Sequence, residues 1–141
     1  MINTKLTRKA MILAYNAHMN QFDRAGVPYI FHPIHVAEQM EDEISCIAAL
    51  LHDVVEDTEI TFEDLEKDFP SQVVEIVKIL THDSAVDYME YIKGIKQNKI
   101  ATKIKVADIM HNSDSTRLDF VSENDIKRAE KYKKALEYLN S

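Results

Sequence analysis

From Cys46 to Leu51 the chain is apolar without a break, and it runs straight into His52-Asp53-Val54-Val55-Glu56-Asp57. Ala, Leu and Val at helical spacing predict one buried helix over residues 44–57. On such a helix His52 and Glu56 stand four residues apart, as do Asp53 and Asp57, so the four crowd adjoining stripes near its end. Charge taken out of water must be paired or ligated, so a core does not gather it at the tip of its most hydrophobic helix without a use for it. The plainer alternative is a helix that surfaces at residue 52 and ends in a solvated acidic turn. A His-Asp pair alone is too short a match to reject that alternative.

The rest of the chain reads as helices. Two glycines and three prolines in 141 residues leave little turn material, which argues against a many-stranded sheet. That length suits one domain, residues 1–141, with a single sizeable core. Leu6, Ala10, Leu13, Ala14 and Ala17 predict a first helix over 4–22, stopped by Gly26 and Pro28. Pro33 suits the first turn of a second, running to about Glu41. Thr61 can cap a short helix to Phe69, and Ser71 can cap another bearing Val73, Val74, Ile76, Val77 and Leu80. A modest amphipathic helix falls within 83–97. From Lys99 a sharper pattern puts Ile100, Ile104, Ala107, Asp108 and His111 on one face, with an aspartate in the middle of an apolar stripe. Ser122 can cap a terminal helix with Ile126, Ala129, Leu136 and Leu139 inward and a solvated Lys/Glu outer face.

Charge and composition exclude some classes of function. With 24 acids against 17 bases the net charge is −7, which disfavours nucleic acid as a partner. Any phosphorylated substrate must then be held by local cations or a metal, since the field of the whole protein repels it. No apolar stretch approaches ~20 residues and the N-terminus lacks a signal-peptide core, so a cytoplasmic location without membrane partners is expected. Cys46 is the single cysteine and reads as a buried packing thiol.

Three places on different helices carry anomalous polar groups: His32 before Pro33, His52-Asp53, and Asp108. A bundle can bring them together. Two imidazoles and two carboxylates suit Mn, Fe, Co, Ni or Zn better than Ca. Open positions on such an ion would hold and polarise water, with Glu56 and Asp57 one turn on to orient it or shuttle a proton. His18 and His35 read singly as structural; His111 reads equally as a partner of Asp108 or a core packer.

The order His, His-Asp, Asp resembles the HD-domain metal phosphohydrolases, and more closely the RelA/SpoT-type hydrolase domain and its small stand-alone relatives. The matching stretches are Gly26-Val27-Pro28-Tyr29-Ile30-Phe31-His32-Pro33, Ala48 to Thr58, and Lys105-Val106-Ala107-Asp108 with His111-Asn112. Helix order and spacing agree over about residues 5–118. The resemblance implies an all-α HD-domain helical bundle with His32, His52, Asp53 and Asp108 as ligands of Mn²⁺ or another divalent transition metal. It implies Glu56 and Asp57 as the catalytic acidic pair and Arg24, Asn112 and Ser115 as substrate-binding positions. The implied reaction is removal of the 3′-pyrophosphate from guanosine tetra- or pentaphosphate by water.

The sequence also departs from that family. Asp23 stands where a basic residue is usual, as does Ile109; Ser113-Asp114 replaces Met-Arg, and His82 replaces the lysine after Thr81. These changes favour a rival reading within the class, hydrolysis of another phosphate ester or pyrophosphate. A rival from another class is a metal-stabilised nucleotide-binding module without turnover, which would have no chemical need for Glu56-Asp57.

Overall fold

The computed structural model describes residues 1–141 as nine α-helices and no β-sheet. In chain order they are α1 (Lys5–Ala17), α2 (Phe31–Glu38), α3 (Glu43–Leu51), α4 (Val54–Asp57), α5 (Phe62–Asp68), α6 (Ser71–Leu80), α7 (Tyr88–Lys96), α8 (Lys99–Asn112) and α9 (Glu123–Leu139). A 3-10 turn at Ser115–Arg117 precedes α9, and one antiparallel bridge, Phe22 to Pro28, closes the α1–α2 loop.

α3 is the axis of the bundle. Every residue from Ser45 to Leu51 is buried, Cys46 among them. A helix apolar all round has to be surrounded, and α1, α2, α6 and α8 pack on it. Asp42 starts it by accepting the Ser45 N–H at 2.9 Å, with Glu43 in the positive first turn. One contiguous cluster of 28 buried apolar side chains forms around this axis. Truncating a member such as Leu50 to alanine costs about 2–5 kcal/mol.

The single helix expected over 44–57 is in fact two. The His52 N–H reaches back only to the Ala49 carbonyl at 3.4 Å, and the His52 ring Nδ1–H donates to the same oxygen at 2.6 Å. That oxygen is the acceptor a continuing helix would offer to the Asp53 N–H, so the imidazole competes with the next helical bond. Asp53 then sits at φ −107°, ψ −3°, and α4 starts afresh at Val54.

Other boundaries shift for local reasons. α1 ends at Ala17 rather than 22, because Asn20 takes a left-handed φ of +68° and the Gln21 N–H bonds back to His18. α2 begins two residues before Pro33 and ends at Glu38, short of Glu41. Ser71 is the first residue of α6 instead of its cap, which is Pro70. Thr61 and Ser122 do cap α5 and α9, each in a reciprocal box with the aspartate three residues on. In α9 only Ala135 and Leu139 are buried; Ile126 is 52% exposed, and with Ala129 it lines a cleft instead of the core. No helix is long and apolar enough to cross a membrane.

Candidate active site

The break between α3 and α4, the first turn of α2 and the middle of α8 deliver four side chains to one point. His32, His52 and Asp108 are each at most 4% exposed. Their donor atoms and one oxygen of Asp53 close a ring. His32 Nε2 lies 2.8 Å from Asp108 Oδ1, which lies 3.6 Å from His52 Nε2. His52 Nε2 is 3.0 Å from Asp53 Oδ2, and that oxygen is 3.8 Å from His32 Nε2.

Both imidazoles are held with Nε2 turned inward. His52 gives its Nδ1–H to Ala49, so its Nε2 is a buried nitrogen without a hydrogen-bond partner. His32 Nδ1 stands 2.7 Å from His111 Nδ1. Burial, then Arg117 and the other two histidines, push His111 down to about 4, so its ring is neutral and its Nδ1 can accept from His32 in the tautomer that carries the proton on Nε2. His35 stacks on His111 at 4.1 Å between centroids, and His111 is the outer partner of His32.

The carboxylates are equally constrained. Asp108 Oδ2 accepts from Lys105 Nζ at 2.9 Å, and its Oδ1 accepts from Asn112 Nδ2 at 2.9 Å. Burial alone would raise this carboxyl, but Lys105 and the two histidines outweigh it and hold it well below the usual range. The Tyr29 hydroxyl donates to Asp53 Oδ2. Burial would likewise raise Asp53, and His52 overrides it. His52 itself is pushed down by burial and, more strongly, up by Asp53 and Asp108.

Such a ring calls for a cation at its centre. Ligand atoms about 2.1 Å from one ion stand roughly 3 Å apart, and the carboxylates that raise His52 favour positive charge at its Nε2, which a metal ion can supply in place of a proton. Nitrogen and oxygen donors in equal number fit a first-row divalent ion better than Ca²⁺.

The remaining expected residues divide. Asp57 and Glu56 bring carboxylate oxygens within 4.8 Å of Asp53 and of each other. Asp57 lines a cleft of about 920 Å³, and burial, then Asp53 and Glu56, raise it to about 6. Glu56 is exposed, and one of its oxygens accepts the His82 N–H at 2.6 Å, a tether the sequence did not reveal. Asn112, Ser115 and Arg24 all line the cleft, but Arg24 is ion-paired with Asp125 of α9.

The departures look different in three dimensions. Asp23 does not confront the cleft as a free charge. Its Oδ2 is 2.9 Å from Arg117 Nη2, and its Oδ1 accepts the Ala25 and Val27 N–H groups at 2.8 and 3.0 Å. Asp114 caps the 3-10 turn through Thr116. Ile109 is fully buried in the core, so its side chain does not border the substrate space. Sequence reasoning missed Lys105 and Arg117. Spacing could have found Lys105, three residues before Asp108 on the same helix face; nothing in the sequence pairs Arg117 with a residue 94 positions away.

A family model described as an HD domain matches residues 10–118. The bifunctional (p)ppGpp synthase/hydrolase SpoT of Escherichia coli K12 is 37% identical over 123 residues, covering 77% of this chain and 18% of that protein. A Vibrio cholerae guanosine-3′,5′-bis(diphosphate) 3′-pyrophosphohydrolase is 45% identical over 74 residues, covering 50% of this chain and 10% of that protein. This chain thus spans less than a fifth of the length of these curated relatives. A solved structure described as "A metazoan ortholog of SpoT hydrolyzes ppGpp and plays a role in starvation responses" superposes with a TM-score of 0.82 at 26% identity. It covers 99% of this chain and 87% of the other.

Proposed function

The chain belongs to the HD domain family, and on that premise we propose that it is a metal-dependent phosphohydrolase whose substrate is guanosine 3′,5′-bis(diphosphate). The reaction transfers the 3′-pyrophosphoryl group to water. A phosphorus–oxygen bond forms from water, the bond to the 3′-oxygen breaks, and guanosine 5′-diphosphate and pyrophosphate result. The observation that carries this reading is the closed four-donor ring of His32, His52, Asp53 and Asp108 beside a nucleotide-sized cleft.

A divalent ion held by those four, Mn²⁺ by our proposal, supplies Lewis acidity towards water and phosphoryl oxygen. The chain's own groups do the rest. Asp57, with its carboxyl near 6, is matched to accept the proton of the attacking water near neutral pH. Glu56 keeps a second negative charge beside it and anchors the backbone of His82. Asn112, hydrogen-bonded to Asp108, and Ser115 offer polar edges to sugar and phosphate. Arg24 and Arg117 stand at the cleft paired with Asp125 and Asp23, and a polyanion held there would take over those cations from their carboxylates.

Hydrolysis of a different phosphate ester is the second reading, favoured because Asp23 and Asp125 already engage two of the arginines at the cleft, Arg117 and Arg24. The test is a Mn²⁺-supplemented assay of product identity. Guanosine 5′-diphosphate and pyrophosphate in equal amounts are expected from the wild type, and none from His52→Ala. Absence of turnover across the first-row divalent ions, with activity on another nucleotide phosphate, overturns the substrate assignment.

A further inference from the structure

His18 ends α1, is 2% exposed, and belongs neither to the donor ring nor to the cleft wall. Its hydrogen bonds fix its tautomer. The Asp57 carbonyl can only accept, so the Gln21 amide turns its NH₂ towards it at 2.9 Å. The Gln21 oxygen must therefore face His18 Nδ1, also at 2.9 Å, and that nitrogen carries the proton. Nε2 is left with a lone pair, buried and without any partner in the protein. Burial also keeps the ring below the ordinary histidine value, against the pull of Gln21 and Asp53.

Two connections run from this ring to the chemistry. Gln21 ties it to the backbone of Asp57. The ring also leans on Tyr29 at 5.0 Å between centroids, and the Tyr29 hydroxyl donates to Asp53. A buried acceptor left empty costs about 1–3 kcal/mol, so a donor should occupy it, and a single buried water is the smallest donor that can. We propose that His18 is a positioning residue for the hydrolytic site. Its bare Nε2 accepts a hydrogen bond from one buried water, while Gln21 and Tyr29 transmit its placement to Asp57 and Asp53. The inference rests on the phosphohydrolase reading above, since it gives those two carboxylates their work.

The test combines ¹⁵N NMR of the wild type with kinetics of His18→Phe and Gln21→Met. At pH 7 the His18 ring should show protonated Nδ1, unprotonated Nε2 and magnetisation transfer from a bound water. His18→Phe keeps the ring against Tyr29 but removes both nitrogens. It should lose about 10- to 100-fold in kcat, the usual scale for an outer partner of a metal site, with KM and Mn²⁺ content little changed. Gln21→Met should mix the two tautomers and lower kcat by a smaller factor. A wild-type ring protonated at Nε2, or His18→Phe with wild-type kcat, overturns the proposal. If His18→Phe does not fold, the wild-type spectrum and Gln21→Met still decide it. A wild type that hydrolyses nothing sinks the phosphohydrolase reading, whereas the tautomer and the water are read from the spectrum regardless.

Discussion

Replacing Lys105 by methionine separates the charge balance of the site from its packing. The side chain is 14% exposed, its Nζ lies 2.9 Å from Asp108 Oδ2, and it sits 5.3 Å from the centre of the Tyr91 ring. Methionine keeps the apolar stem and removes the cation, so the buried Asp108 carboxylate loses its only full-time positive partner. Breaking a buried pair from one side costs about 3–5 kcal/mol, and the lost cation–π contact adds roughly 1 kcal/mol. Against a total stability of about 5–15 kcal/mol that is a large fraction, worth roughly 10 °C or more in Tm for a chain of this size. The sign with pH is fixed by Asp108. Its folded carboxyl is depressed, so it contributes stability above the unfolded value near 3.8 that is lost as pH falls through the folded one. The variant lacks that contribution, and the gap to wild type should narrow as pH is lowered and its Asp108 takes up a proton. A divalent ion compensates for the missing cation, so Mn²⁺ should stabilise the variant more than the wild type. Urea denaturation of chelated and Mn²⁺-saturated protein at several pH values measures all three effects. A chelated variant within about 0.5 kcal/mol of wild type at pH 7, a surface-substitution result, would refute the reasoning.

His52→Ala and Asp108→Ala should each abolish stoichiometric metal binding; equal metal content by elemental analysis in both variants and the wild type would remove them as ligands. Asp57→Asn should lower kcat by about 10²-fold or more with metal content kept, and more than Glu56→Gln, whose amide oxygen can still accept from His82. In the wild type, kcat/KM should rise with pH along a limb at or below about 6, the value raised for Asp57 by burial and its acidic neighbours, and the limb should vanish in Asp57→Asn. Asp23→Asn frees Arg117 while leaving an oxygen for the Ala25 and Val27 turn, so KM for the tetraphosphate should fall several-fold at low salt and less at high salt. An unchanged KM at both ionic strengths would mean that Arg117 takes no part in binding it.

The sequence disclosed what depends on spacing along one element. Helical periodicity announced α3, α6 and α8, Thr61 and Ser122 announced their caps, and Asp108 stood out because an apolar stripe has no place for a lone carboxylate. It did not disclose contacts between elements distant in sequence. Arg117 meets Asp23, Glu56 meets the His82 backbone and Gln21 meets the Asp57 carbonyl only because the folded chain brings those loops together. Nor could it show that α9 would turn Ile126 and Ala129 towards the cleft, since periodicity identifies an apolar face without saying what faces it. The break at His52 escaped because it depends on a ring nitrogen taking a backbone acceptor, which no propensity scale records.

That break governs what two adjacent residues can do together. On an unbroken helix, neighbours diverge by about 100° around the axis, and a histidine and the aspartate after it serve different surfaces. Here the turn at Asp53 cancels the divergence, and their donor atoms come within 3.0 Å of each other. On the proposed assignment of both residues as metal ligands, irregularity at this step is a requirement of the chemistry. Substitutions that extend helical order through residues 52 to 54 would strengthen local structure and disperse the two donor atoms, so helicity and the proposed metal site make opposite demands at this one peptide unit.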